Sequence, residues 1–171
     1  DSLGADVAFP GPVYGAAKDE LLARATLFVL MSDSENFGNA VLEALAMNLW
    51  FQTQALRPGA ATLDDVKRLR EHADFDVRNP NKVRALLGAF VHSNPGAFHR
   101  ADHAGYRFLG EQVASIDAMN PQVAARLITP LTRWRRYEPA YAEGMRAVLK
   151  QLLEHPGLSR DSFEVVSKSL A

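Results

Sequence analysis

The chain contains no cysteine. Disulfides and thiolate metal sites are therefore excluded, and a cytoplasmic location is the natural expectation. No apolar run approaches the roughly 20 residues needed to cross a bilayer, so no membrane association is expected. No basic segment leads into an apolar stretch at the start, so no signal-peptide pattern is present. The first residue is Asp1 rather than Met, which reads as a fragment, a processed product or an engineered chain. Neither sign of charge is in excess: 19 Lys and Arg against 20 Asp and Glu leave a net charge of -1, so no global field points to nucleic acid. There is also no P-loop, no Gly-x-Gly-x-x-Gly and no Gly-x-Ser-x-Gly elbow, and no cofactor is expected.

What is present is apolar material in regular patterns. Of 171 residues, 47% are hydrophobic, enough to build a core. The first 47 residues predict strand, helix, strand, helix. A short strand at 5–9 ends at Pro10-Gly11-Pro12, and a helix follows at 18–25 with Leu21, Leu22 and Ala25 at helical spacing. The apolar run at 26–31 predicts a strand buried on both faces, and a helix follows at 39–47, giving a small parallel βαβα unit. From Asn48 the pattern becomes helix after helix. Asn79-Pro80, Asn94-Pro95 and Asn120-Pro121 repeat one device: Asn accepts a hydrogen bond from a free backbone N–H, and Pro fits the first helical position. Helices are expected at 62–71, 82–91, 106–119, 122–134 and 140–154, with Pro130 kinking or ending the fourth and Ser159 capping a last one. The fold class is mainly α, a superhelix of helical hairpins behind the N-terminal βαβα unit.

The stretch LFVLMSDSENFGNAVLEALA at 27–46 places Glu35 and Glu43 seven residues apart around a strand-to-helix turn, and GPVYGAAKDELL at 11–22 precedes it. Residues 1–47 resemble the second Rossmann domain of retaining GT-B glycosyltransferases that use nucleotide-sugar donors. The resemblance implies that Glu35 meets donor-sugar hydroxyls and Glu43 the ribose. Gly38 and Asn39 open a helix whose free N–H groups can face an oxygen of phosphate or sugar. The departures are large: the strand that follows in the family, the basic residues that hold the diphosphate and the acceptor domain are missing.

Four further stretches, NPNKVRALLGAF (79–90), GYRFL (105–109), NPQVAARL (120–127) and VVSKSLA (165–171), carry a second resemblance. Residues 49–171 are similar to the C-terminal helical domain of the bacterial aminopeptidase N family of zinc peptidases. In that family the domain closes over the catalytic domain, and the residues matching Gln122 and Arg126 face the substrate channel. The zinc-binding His-Glu-x-x-His helix belongs to an earlier domain and does not occur in this sequence. His103 departs from the small residue usual at its position. The two parts, 1–47 and 48–171, meet near Met47-Asn48 with no linker, so helix is expected to run into helix.

His99 and His103, four apart beside Asp102, offer two metal ligands where zinc needs three, so no metal site is expected. Arg133-Trp134-Arg135-Arg136-Tyr137 mixes cations and aromatics but reads as basic residues complementing a helix C-terminus rather than as a nucleic-acid site. The expectation is a chimeric or recombined folded protein without a complete active site. Residual binding inherited from one parent, weak nucleotide-sugar recognition or docking to an aminopeptidase catalytic domain, is the alternative. A homodimer through the N-terminal unit is expected, because a two-stranded sheet leaves faces and edges to cover.

Overall fold

The computed structural model describes residues 15–18, 20 and 39–171, the side chains of 39–42 excepted. The expected strands at 5–9 and 26–31 lie outside the described residues, as does the expected helix at 18–25 beyond Lys18 and Glu20. Among the described residues every regular element from Asn39 onward is helical.

The first is α1 (Asn39–Ala55), which passes through Met47 and Asn48 without a break. Its one charged residue is Glu43. Phe51 and Ala55, one turn apart, are fully buried, while Leu45 and Leu49 on another face are 55% and 62% exposed. A helix that is apolar all round is ordinarily covered all round. Next comes α2 (Thr62–Arg70), whose Leu63 and Val66 enter the core.

The three Asn-Pro pairs act as the sequence indicates. Asn79 opens α3 (Pro80–Val83), its side chain accepting from the Asn81 N–H at 3.0 Å. Asn94 opens α5 (Pro95–Phe98) and accepts from Ala97 N–H at 3.2 Å. Asn120 opens α7 (Pro121–Thr132) and accepts from Val123 N–H at 3.2 Å. Asn94 does more than cap. Its Nδ2 donates to the carbonyls of Ala55 and Arg57, both at 2.9 Å, and so closes the end of α1 as well.

The helix expected at 82–91 is longer and is not α throughout. α3 runs directly into a π-helical turn, π1 (Arg84–Gly88), and then into α4 (Ala89–Ser93), the junction residues Val83 and Ala89 both being helical. After α5 come α6 (Ala104–Asp117), α7, a 3-10 turn at Trp134–Arg136, α8 (Pro139–Leu153) and α9 (Arg160–Leu170). Pro130 sits inside α7, and the helix ends two residues later at Thr132. The lost N–H shortens the helix rather than breaking it at the proline.

α7 lies between α6 and α9, and α8 packs across both. Their shared core contains Tyr106, Leu109, Ile116, Ile128, Leu131, Met145 and Leu149, all nearly inaccessible. Burial of each such side chain contributes about 1.5–3 kcal/mol before entropy is counted. Gly105 permits the tight corner between α5 and α6: a Cβ there would lie 2.3 Å from the Phe98 carbonyl oxygen.

Asp117, buried at the end of α6, ties that helix to α9. Its carboxylate accepts from Ser159 N–H at 2.5 Å, from Ser159 Oγ at 2.7 Å and from Ser162 Oγ at 2.5 Å. Negative charge at a helix N-terminus is favourable, and each of these donors is stranded if the carboxylate goes. Asp117→Ala is therefore expected to lower stability by about 3 kcal/mol in urea denaturation. Asp117→Asn, which keeps one acceptor oxygen, is expected to cost less.

Candidate functional site

Of the residues expected at a donor site, Glu35 and Gly38 lie outside the described residues. Asn39 is the first residue of α1, and only its backbone is described. Glu43 is exposed, and its carboxylate is held by Lys18 at 2.8 Å. An ion pair at that distance must open before a ribose hydroxyl can take its place.

Gln122 and Arg126 lie one turn apart on the exposed side of α7. Arg126 lines a cleft of about 330 Å³ between α1, the π1–α4 segment and α7; Gln122 is not among its walls. Gln52 forms one wall, Arg84, Gly88, Ala89, His92 and Ser93 a second, and Val123 and Leu127 complete the third. The structure therefore brings Arg126 together with a cation that sequence reading passed over. Arg84 leaves the rod at its π turn, and its guanidinium also donates to the Asn81 side chain. π turns occur mostly as single-turn insertions, often at functional sites. Nothing in RALLG announces one except Gly88.

The charges in this cleft have one sign. Both guanidiniums point to anion binding, and no carboxylate lines the walls. His92 is the one other titratable group, and burial first, then Arg133, hold its pKa below the ordinary imidazole value. Near neutral pH it is an uncharged imidazole. Among the described residues, Ser93 has no hydrogen bond to it, so no nucleophile–base pair is assembled.

The His99–His103 segment is the loop between α5 and α6, and the two imidazoles go separate ways. His99 Nδ1 meets the Tyr106 hydroxyl at 2.8 Å, and its Nε2 meets the Tyr137 hydroxyl at 3.2 Å. Both ring nitrogens are thus occupied by phenols. His103 adopts a left-handed backbone conformation (φ 57°) just before α6 and stacks on Tyr106, with centroids 5.6 Å apart. Its bulk is accommodated by Gly144 on α8, where a Cβ would lie 2.6 Å from the ring. Asp102 between them is tied to Arg100 and to the Ala104 N–H, which together push its carboxyl down to about 2. No group of three His, Asp or Glu side chains able to hold a metal ion occurs among the described residues.

The basic stretch behaves differently from the expectation in one respect. Arg133 does follow the end of α7. Trp134 Nε1 and an Arg135 guanidinium nitrogen instead donate to the carbonyl of Ser169, at 3.2 and 2.7 Å. They complement the C-terminus of α9, a neighbouring helix, rather than that of their own.

Residues 35–171 match the family described as "Domain of unknown function (DUF3458_C) ARM repeats". The chain belongs to this ARM-repeat family. Residues 2–63 also match "Glycosyl transferases group 1", so the two matches overlap over 35–63, on α1 and the first two residues of α2. Aminopeptidase N of Escherichia coli is 47% identical over 127 residues, which is 74% of this chain and 15% of the relative. Aminopeptidase N of Caulobacter vibrioides is 43% identical over 128 residues, 75% of this chain and 15% of the relative. Aminopeptidase N of Haemophilus influenzae is 39% identical over 155 residues, 91% of this chain and 17% of the relative. Among solved structures, Legionella pneumophila aminopeptidase A in complex with aspartic acid superposes with a TM-score of 0.70 at 37% identity, covering 73% of this chain and 14% of that one. The ARM-repeat chain thus spans about one-sixth of the length of its curated relatives. No helix among its described residues is long and apolar enough to cross a membrane.

The His99 arrangement makes a pH dependence calculable in sign. Burial lowers the imidazole pKa from its ordinary 6.5, so the unfolded chain binds this proton at a higher pH than the folded one. Acid then favours unfolding. Stability is expected to fall as pH drops through about 6.5 and to level off once the folded-state value is passed. Urea midpoints measured between pH 8 and pH 5 should show this loss, and His99→Gln should flatten part of it. His92, shifted in the same direction, contributes a further part.

Proposed function

We propose that this ARM-repeat chain is a non-catalytic, recombined domain that covers and binds instead of turning over a substrate. The observation that supports this most directly is the Arg84–Arg126 cleft, which offers two guanidiniums, a neutral imidazole and no paired nucleophile. Such a cleft holds a carboxylate or another anion and has no group placed to activate water or a substrate atom. Arg126, with Gln122 one turn away, is the residue we assign to ligand contact. Glu35, Gly38, Asn39 and Glu43 are the remnant of a donor site with little affinity of its own. On this reading the join lies near Met47-Asn48, inside α1, and the chain works in the cytoplasm.

Docking to an aminopeptidase catalytic domain is the second reading. It is supported by the similarity to the aminopeptidase N relatives and to the Legionella structure. Under either reading the chain alone is expected to show no chelator-sensitive hydrolysis of an alanyl chromogenic substrate. Turnover that is abolished by a chelator and lost in Arg126→Ala would refute the non-catalytic assignment.

We also assign the exposed face of α1 to a homodimer. Leu45 and Leu49 lie one turn apart on α1, and Leu56, just past its end, is 38% exposed. A net charge of -1 offers little repulsion between copies. A two-fold pairing of this face covers it on both chains at once. Light scattering at micromolar concentration is expected to give twice the chain mass, and Leu49→Glu half of that. A wild-type monomer at the same concentration would remove the dimer.

A further inference from the structure

The surface around Trp134 carries three arginines, of which Arg135 also caps the end of α9 through the Ser169 carbonyl. Arg135 and Arg136 come from the 3-10 turn and Arg146 from α8, and all three are exposed. By contrast, Arg57 and Arg68 meet Asp65, Arg78 meets Asp76 and Arg100 meets Asp102. Among the described residues no carboxylate lies within ion-pair distance of Arg135, Arg136 or Arg146. Neighbouring like charges that form no ion pair repel one another, and an outside anion relieves that.

These cations are also held in place. The Arg135 and Arg146 guanidinium carbons lie 4.3 and 4.8 Å from the Trp134 ring centroid. Cation–π contact restrains both guanidiniums; Arg135 spends one N–H on the Ser169 carbonyl, and a guanidinium has five, so donors for a carboxylate remain. Less side-chain freedom is then lost on binding. The surface is concave, a depression of about 650 Å³ bounded by Trp134, Arg135, Tyr137, Glu143 and Arg146.

We propose that this depression docks an acidic polypeptide segment of a partner protein, its carboxylates engaging Arg135 and Arg146 on its wall and Arg136, the next residue in the chain, outside it. A nucleic acid fits less well for two reasons. Single-stranded bases need free aromatic faces, and here Trp134 is occupied by guanidiniums while the Tyr137 ring lies against His99, with centroids 4.6 Å apart. Glu143 on the wall and Glu138 beside it oppose a continuous run of phosphates, whereas carboxylates spaced along a peptide can pass them. The proposal uses none of the residues of the Arg84–Arg126 cleft and stands or falls independently of it.

The chain has two tryptophans, Trp50 and Trp134, so Trp50→Phe leaves Trp134 as sole fluorescent reporter. The probe is an acetylated, amidated peptide of six Glu-Gly repeats, with an oligothymidylate of matched charge as comparison. A saturable change in Trp134 emission is expected with the peptide, weakening at least tenfold between 20 and 200 mM salt. Arg146→Glu is expected to weaken it at least tenfold, and Lys67→Glu, an equal charge change on α2, to leave it unchanged. Arg136→Glu, at a side chain that makes no hydrogen bond to α9 among the described residues, tests the same surface should Arg146→Glu fail to fold by circular dichroism. Absence of a saturable change, binding indifferent to both arginine variants, or tighter binding of the oligothymidylate than of the peptide would each overturn the proposal.

Discussion

The side-chain amide of Asn94 is the contact on which the first half of the described fold depends. Short helices have many ends, and each end leaves backbone groups without intrahelical partners. Buried Asn94 resolves two ends with one side chain, accepting from Ala97 N–H to start α5 and donating to Ala55 and Arg57 carbonyls to finish α1. Removing it would strand polar groups on both helices, and α1 would lose the contact that sets its angle against α4. Asp117 plays the corresponding part in the second half, where the end of α6 meets the start of α9. The stack is thus organised by its helix ends as much as by its faces.

That organisation also positions the cleft. With α1 held at its C-terminus and α7 started by Asn120, the π1–α4 segment has to run between them. A π turn inserts one residue into the helical register and carries Arg84 and Gly88 to the side facing α7. Arg84 and Arg126, 42 positions apart in the chain, come to share one cavity through this displacement. The same economy appears at Ser169, whose carbonyl receives both Trp134 and Arg135, so the end of α9 holds the 3-10 turn that carries the exposed arginines.

Much of the helical half is legible from residue type and spacing. The Asn-Pro pairs and Ser159 mark starts because capping is local chemistry, needing only an acceptor side chain and a residue with no N–H. Arg126 was legible only through resemblance to a family. Arg84 was not legible at all, because a π turn changes which side a residue faces without a strong compositional signal. The partner of His103 was equally hidden: the ring needs the missing Cβ of Gly144, 41 positions later, and no local rule links the two. The helix end that Trp134 and Arg135 serve is hidden for a similar reason. Their sequence position indicates the end of α7, but the unsatisfied carbonyl they reach belongs to α9, which only packing brings near.

α1 shows how one segment can satisfy two sequence families. The matches to ARM repeats and to group 1 glycosyl transferases overlap over 35–63, and α1 lies wholly within that overlap. A helix makes periodic demands rather than positional ones. The ARM-type core requires apolar residues one turn apart, met by Phe51 and Ala55, and the glycosyl transferase match covers the same rod, with Glu43 its one charged residue. Both patterns fit on one unbroken rod, with no spacer and no change of backbone geometry. The consequence is written on the third side of the helix. Leu45 and Leu49 serve neither demand within the described fold and remain exposed, so the apolar character that allows two patterns to share α1 is also what gives the chain a surface in need of cover.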